Sequence, residues 1–202
     1  MKTFGKNKVD SFEEEGNLLF VSSIDYMDHF NPDRLLSDER KKFEDPEKFL
    51  PELLKTGEIV ADLGCGPGYY CRVLKDYASK LYCVDKSLEM IQRARSYCQG
   101  DNVVFVNRES GDTLIPSGTV DVVILANSFH DMDRDAVYEE IKRILKKDGR
   151  VIVVDWRKDA PFGPPPQKRM CKEDYLSFFK DFKLDREFYV GPYHFGLVLT
   201  RI

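Results

Sequence analysis

The chain has 202 residues, 42% hydrophobic and 33% charged, which is enough apolar material for one domain with a buried core and excludes a disordered or fibrous chain. Its formal net charge is −4 with no polybasic cluster, so nucleic acid is not expected as a partner. No apolar run approaches the roughly 20 residues of a membrane span, and Met1-Lys2-Thr3-Phe4-Gly5 lacks a signal peptide's apolar segment, so a cytoplasmic protein with no membrane partner is expected.

Residues 1–44 read as an N-terminal segment ahead of a domain over 45–202. Its first part, with Glu13-Glu14-Glu15 and Leu18-Leu19-Phe20-Val21, fits a short helix, a hairpin or a frayed terminus. Tyr26, Met27, Phe30 and Arg34, around Asn31-Pro32, belong either to a lid over a ligand or to an ordinary packed helix. Asp45-Pro46 starts a helix that runs to about Lys55 and ends at Gly57.

A strand over 59–63 follows and runs into a turn reading Val-Ala-Asp-Leu-Gly-Cys-Gly-Pro-Gly-Tyr from Val60 to Tyr69. Glycines at 64, 66 and 68 permit positive φ and close ligand approach. A crossover helix over 69–77 presents Tyr70, Val73, Leu74 and Tyr77 on one face. The next apolar run, 81–84, ends in Asp85, seventeen residues past Gly68. Parallel strands joined by a crossover place their carboxyl ends side by side, so Asp85 should stand by the glycine turn and accept from a ribose diol. A helix over 87–97 with Leu88, Ile91 and Ala94 inward and a strand over 103–106 complete this half.

The order acidic-x-Gly-x-Gly-x-Gly from Asp62, with Asp85 downstream, resembles the class I S-adenosylmethionine (SAM) dependent methyltransferases, and the likeness extends from about Asp45 to Ile202. A dinucleotide fold instead spaces its glycines Gly-x-Gly-x-x-Gly before a pyrophosphate, and a carboxylate at the turn suits a cationic ligand better; tight NAD binding without SAM affinity would be needed to revive an oxidoreductase. The resemblance implies an α/β fold: a Rossmann-like, seven-stranded, mostly parallel sheet with the last strand antiparallel and helices on both faces. It also implies SAM as cofactor and S-adenosylhomocysteine as product. By the same likeness Asp62 and the turn Gly64, Cys65, Gly66 and Gly68 hold the methionyl end, Asp85 the ribose, and the Asn127 backbone the methionyl end again, with Lys86 also placed in the cofactor site. An acid after the third strand would meet adenine; counting back from Asp121 favours Glu109, the local Gly-Asp pair favours Asp112, and both stand.

Residues 120–125 form the fourth strand, with Asp121 read as structural. Asn127-Ser128-Phe129 at its carboxyl end departs from the Asn/Asp-Pro-Pro-aromatic pattern of enzymes that methylate exocyclic or amide nitrogen, which leaves a carbon, oxygen or sulfur acceptor. His130 is the candidate general base, since imidazole titrates near neutrality; the competing reading has it bond Asp131 or backbone to shape the loop. His194 and His29 have weaker claims. A helix over 133–147 repeats Val137, Ile141, Ile144 and Leu145 at helical spacing, with Asp133 as cap, Lys146-Lys147 complementing the dipole and Gly149 as stop. Its Tyr138-x-x-x-Lys142 has a dehydrogenase's spacing without the matching glycine pattern and is read as surface chemistry.

After a strand over 151–155, Trp156-Arg157 and the stiff 163–169 loop resemble elements of methyltransferase-domain proteins related to the ubiquinone and menaquinone enzymes. Trp156 and Arg169 are therefore placed with Tyr26 and Phe30 at the acceptor, Arg157 or Arg169 holding an anionic group or serving only as solvated cations of a rigid connector. A helix over 173–182 and an antiparallel pair, 184–190 and 195–200, close the chain. Five cysteines without a Cys-x-x-Cys pair indicate neither a disulfide framework nor a metal site and are read as reduced, Cys65 needing only to be small. The expected function is methyl transfer from SAM to a small molecule, by a monomer or homodimer. The alternative is a non-catalytic SAM-binding module on the same fold, which would have its acceptor space filled by side chains.

Overall fold

A computed structural model describes residues 31–202, so the lid and acceptor expectations for Tyr26 and Phe30 lie outside the described residues. Short helices α1 (Pro32–Leu35) and α2 (Pro46–Phe49) precede the sheet, capped by the side chains of Asn31 and Asp45. Then come β1 (Glu58–Leu63), α3 (Cys71–Leu74), β2 (Ala78–Asp85), α4 (Leu88–Tyr97), β3 (Val103–Asn107), β4 (Val120–Ala126), α5 (Arg134–Ile144), β5 (Leu145–Trp156), α6 (Lys172–Phe178), β6 (Phe182–Gly191) and β7 (His194–Arg201). The seven strands lie in the order β3-β2-β1-β4-β5-β7-β6. Pairings from β3 to β5 are parallel, and β7 runs antiparallel to both neighbours, as expected.

Alternation along the central strands feeds two cores. Val122, Ile124, Ile152 and Val154 pack with Leu50, Tyr70, Leu74 and Ile91 on one face. Val123, Leu125, Val151 and Val153 pack with Val137, Ile141, Tyr175 and Phe179 on the other. Burying each such aliphatic side chain contributes about 1.5–3 kcal/mol, so the sheet is held from both sides. The order reverses direction between β1 and β4, which opens a crevice at their carboxyl ends.

Several boundaries differ from the sequence reading for identifiable reasons. α2 stops at Phe49 and passes into a 3-10 turn, Leu50–Glu52, because Pro51 has no amide to continue the ladder. α5 ends at Ile144: Leu145 turns extended, pairs with Val120 and is buried, so it begins β5. Gly149 then packs on Leu145 within that strand, and Lys146 reaches Asp121 at 2.6 Å, rather than either ending a helix. Leu88, expected inward, is 58% exposed at the first position of α4, and Met90 is buried in its place. Asp121 is structural as expected, accepting the Ile59 amide at 2.8 Å.

The cysteine reading needs correction. Cys71 at the start of α3 and Cys98 just past α4 are joined by a disulfide, with Cα atoms 6.1 Å apart. Their 27-residue separation hides a meeting that only the shared core on one face of the sheet creates. Cys65, Cys83 and Cys171 are free. Among the described residues no helix is long and apolar enough to cross a membrane.

Candidate active site

A cleft of about 420 Å³ lies at the carboxyl ends of β1, β2 and β4. The glycine turn forms its floor. Gly64 adopts φ +76°, and a Cβ there would come within 2.6 Å of Ser128 Cβ and 2.5 Å of Met132 Cε, so only glycine lets the turn seat under the loop after β4. Gly66, at φ +53°, has open space where a side chain would be and lines the cleft. Gly68 does not line it; it faces Ala94, whose Cα and Cβ stand 3.3 Å from where a Cβ would be, and its function is to bring α4 close.

Asp85 closes β2 beside this turn. Its Oδ2 accepts the Gly66 amide and its Oδ1 the Ser87 amide, each at 2.9 Å, which orients the carboxylate and leaves one lone pair on each oxygen for two further donors. Burial pushes the pKa of Asp85 up, with those two amides opposing. Asp62 is 1% exposed, and its Oδ2 has no hydrogen-bond partner. Burial, then the charge of Asp85, pushes Asp62 up to about 7, with Arg40 pulling the other way. A buried acid left without a donor is costly unless something supplies one, so this wall fits a cation or an ammonium donor.

On the β2–β3 side, Lys86 and Glu109 line the cleft together, 3.9 Å apart, and Ser110 lies beside them. Asp112 does not reach it; its carboxylate takes the Arg108 guanidinium at 2.6 Å, in solvent. Of the two adenine candidates only Glu109 stands on the wall. Cys65 lines the cleft as a buried thiol whose pKa is raised by its hydrogen bond to Cys83 and by burial, which keeps it protonated. Asn127, at φ +53°, lines it opposite, its amide nitrogen bonded to Glu44 at 2.7 Å and its Oδ1 without a partner.

Three expectations are corrected. His130 is off the cleft wall, its side chain 2% exposed, with Nδ1 on Asp155 Oδ1 at 3.0 Å and Nε2 3.5 Å from Asp131. Burial would lower its pKa, but the bond to and charge of Asp155 outweigh that and raise it. Trp156 packs against His194, Phe43 and Phe162, away from the cleft. Arg169 is buried, with its guanidinium directed at five backbone carbonyls, those of residues 157, 158, 160, 162 and 164, between 2.6 and 3.3 Å. It fixes the loop after β5, and Arg157 pairs with Asp159.

Sequence reasoning missed Leu35 and Arg40, which bring the segment ahead of β1 into the wall, and Ser128, which ties the loop after β4 to Leu63 O at 2.9 Å. Arg40 and Glu44 stand four apart, the spacing of a helical ion pair, and that was the available signal.

A sheet with its last strand reversed, bent at a glycine turn between two acids, defines the class I methyltransferase fold. The chain belongs to the methyltransferase-domain family. The profile described as "Methyltransferase domain" matches residues 61–153. A crystal structure from Sulfolobus solfataricus, provisionally described as a type 11 methyltransferase, is 44% identical, covering 79% of this chain and 93% of that one at a TM-score of 0.72. A SAM dependent methyltransferase from Aquifex aeolicus is 29% identical over 85% of this chain and 97% of that one, with a TM-score of 0.78. The expected likeness to quinone enzymes is found: the 2-methyl-6-phytyl-1,4-hydroquinone methyltransferase of Synechocystis sp. is 31% identical over 108 residues, 52% of this chain and 34% of that protein. Matches of this kind span between 29% and 52% of the curated relatives' length.

Proposed function

We propose that this protein binds SAM in the cleft and transfers its methyl group to a small molecule through a carbon, oxygen or sulfur nucleophile. The observation that carries the reading is Asp85, oriented by the Gly66 and Ser87 amides at the cleft floor, with unpartnered Asp62 Oδ2 on the same wall. Bound SAM supplies an electrophilic methyl on a cationic sulfonium. Asp85 would take the ribose hydroxyls with its free lone pairs, Glu109 and Ser110 would border the adenine, and Asp62 would face the positive methionyl end. Displacement at a sulfonium disperses charge, so orientation by this rigid floor and its fixed carboxylates supplies most of the acceleration.

Proton removal is assigned differently from the sequence reading. His130 is committed to Asp155, while Asp131, held by Lys168 at 2.6 Å, is on the wall. The arrangement favours an acceptor that arrives ionised or passes its proton to Asp131.

Calorimetric titration with SAM and S-adenosylhomocysteine tests the cofactor. Asp85→Ala should weaken both by about tenfold to a hundredfold, the cost of lost hydrogen bonds to a charged group. Undiminished binding would refute the ribose assignment. Labelled SAM incubated with metabolite extracts then separates an enzyme, which labels a product, from a binding module, which does not.

A further inference from the structure

The two amides that orient Asp85 come from two different elements, Gly66 from the glycine turn and Ser87 from the N-terminal cap of α4. The direction of that carboxylate therefore depends on how the turn and α4 are held against each other. One row of residues on α4 makes the contact. Met90, Ala94 and Cys98 follow one another at intervals of four, so they stand along a single face of the helix. Met90 lines the cleft, and Ala94 meets Gly68, where a Cβ would come within 3.3 Å of Ala94 and 3.6 Å of Cys98 Cβ. Cys98 is bonded to Cys71, the first residue of α3, directly behind the cleft residues Tyr69 and Tyr70. From residue 90 to residue 98 the row runs about 12 Å, with the cleft at one end and the disulfide at the other.

The surroundings of the bond have anchors of their own. Asn102 Nδ2 donates to Lys75 O at 2.8 Å and to Ala78 O at 2.7 Å, and Lys75 Nζ to Gln99 O at 3.0 Å, which ties the C-terminal end of α3 to the segment after α4. On the opposite side, the Tyr69 hydroxyl donates to Glu44 O and the Tyr70 hydroxyl to Glu44 Oε1. Between these anchors Gly68 meets α4 by van der Waals packing, and the disulfide fastens the tail of the turn there. Breaking it frees a local contact while both flanks stay tied.

We propose that the Cys71–Cys98 disulfide is a redox lock on the cofactor cleft. Formed, it fixes the glycine turn on α4 and with it the direction of Asp85; reduced, it lets the two elements part, and cofactor affinity falls. The inference rests on the SAM reading above and adds control of that same site. A dithiol reductant opens the lock by exchange. One of its thiolates attacks a chain sulfur and the Cys71–Cys98 bond breaks; its second thiol then resolves the mixed disulfide, so two electrons pass to the chain, which is left with two thiols, and the reductant leaves as a cyclic disulfide. Both cysteines are fully buried, so exchange waits on separation of the turn from α4. A ligand that holds the two together opposes that separation, and linkage makes the two effects equal in size.

The test uses the full chain, oxidised or reduced with dithiothreitol, below its melting range. Reduction should weaken SAM by about fivefold or more in calorimetric titration. Saturating SAM should shift the thiol–disulfide equilibrium, set by a dithiothreitol redox buffer, toward the disulfide by that same factor. A Cys71→Ala/Cys98→Ala variant should bind SAM as the reduced wild type does and ignore reductant, which separates the bond from the free thiols Cys65 and Cys83. A reductant effect that persists in this variant would overturn the lock. So would a shift that keeps growing with SAM concentration instead of levelling off, because that marks a chain which unfolds on reduction and a bond that only adds stability. Equal SAM affinity in the oxidised and reduced wild type defeats this inference alone; a chain that binds SAM in neither state defeats the cofactor reading with it.

Discussion

Glu44 accepts the side-chain amide of Asn127 at 2.7 Å across 83 residues of sequence, which joins the segment ahead of the sheet to the loop that leaves its fourth strand. Burial alone would keep this carboxyl protonated, but the Arg40 guanidinium and then His194 hold it down at about 2, against an ordinary 4.5. A depressed acid stabilises the fold above its unfolded pKa and loses that contribution as pH falls through the folded value. The increment is about 3 kcal/mol. Denaturant titrations from about pH 5 to pH 2 should show it disappear in the wild type. Glu44→Gln, less stable at pH 7, should have the flatter profile, and parallel profiles would remove Glu44 from the account.

Asp62 works in the opposite sense. With its pKa pushed up to about 7 by burial and by Asp85, the ligand-free protein holds a proton that the unfolded chain, at an ordinary 3.8, has already released. This favours the fold at low pH and is lost as pH rises through about 7. A cationic ligand reverses the balance by favouring the carboxylate. SAM binding should therefore release a proton near pH 6.5 and tighten between about pH 6 and 8, by at most tenfold per unit. Calorimetry in two buffers of different ionisation enthalpy reads the proton directly; Asp62→Asn should release none, and a wild type that also releases none contradicts the geometry.

The Cys71–Cys98 bond closes a loop across a separation of 27 residues. Chain entropy makes such a closure worth about 3–4 kcal/mol. Reductant should lower the melting midpoint of the wild type and leave a Cys71→Ala/Cys98→Ala variant unmoved. Identical responses would mean the bond carries no stability.

His130 separates a structural from a chemical role. Its raised pKa, which Asp155 sustains against burial, stabilises the fold below the ordinary 6.5 and fades as pH rises through the folded value. Removing one partner of a buried pair costs about 3–5 kcal/mol, so His130→Gln should be markedly less stable. Below its melting range its kcat should change by less than about tenfold, short of the loss that follows removal of a general base. A far larger fall in kcat at unchanged stability would restore His130 as the base.

The sheet and the place of two acids on the cleft wall were legible because strand periodicity is local and an acid that ends an apolar run is placed by the strand itself. Asp62 and Asp85 are of this kind. Asp112 and Glu109 sit in a loop, where sequence order does not say which side chain turns toward the crevice, and Arg108 decides it by claiming Asp112. Trp156 and Arg169, expected at the acceptor, do not line the cleft, for a related cause: an arginine reads as solvated or ligand-holding until the path of its loop is known, and here backbone oxygens surround it. The Cys71–Cys98 contact depends on the start of α3 and the end of α4 meeting in one core on the same face of the sheet, and the Glu44 cluster on contacts from residue 40 to residue 127, neither of which has a local pattern.

The guanidinium at position 169 acts as a hub around which the excursion after β5 is wound, with five main-chain spokes and the residue itself buried. Such a loop takes its path from the inside. Solvent-facing positions along 157–168 are thereby released from shaping it, and Lys168 arrives at Asp131 from a fixed rim, whatever decorates the outside.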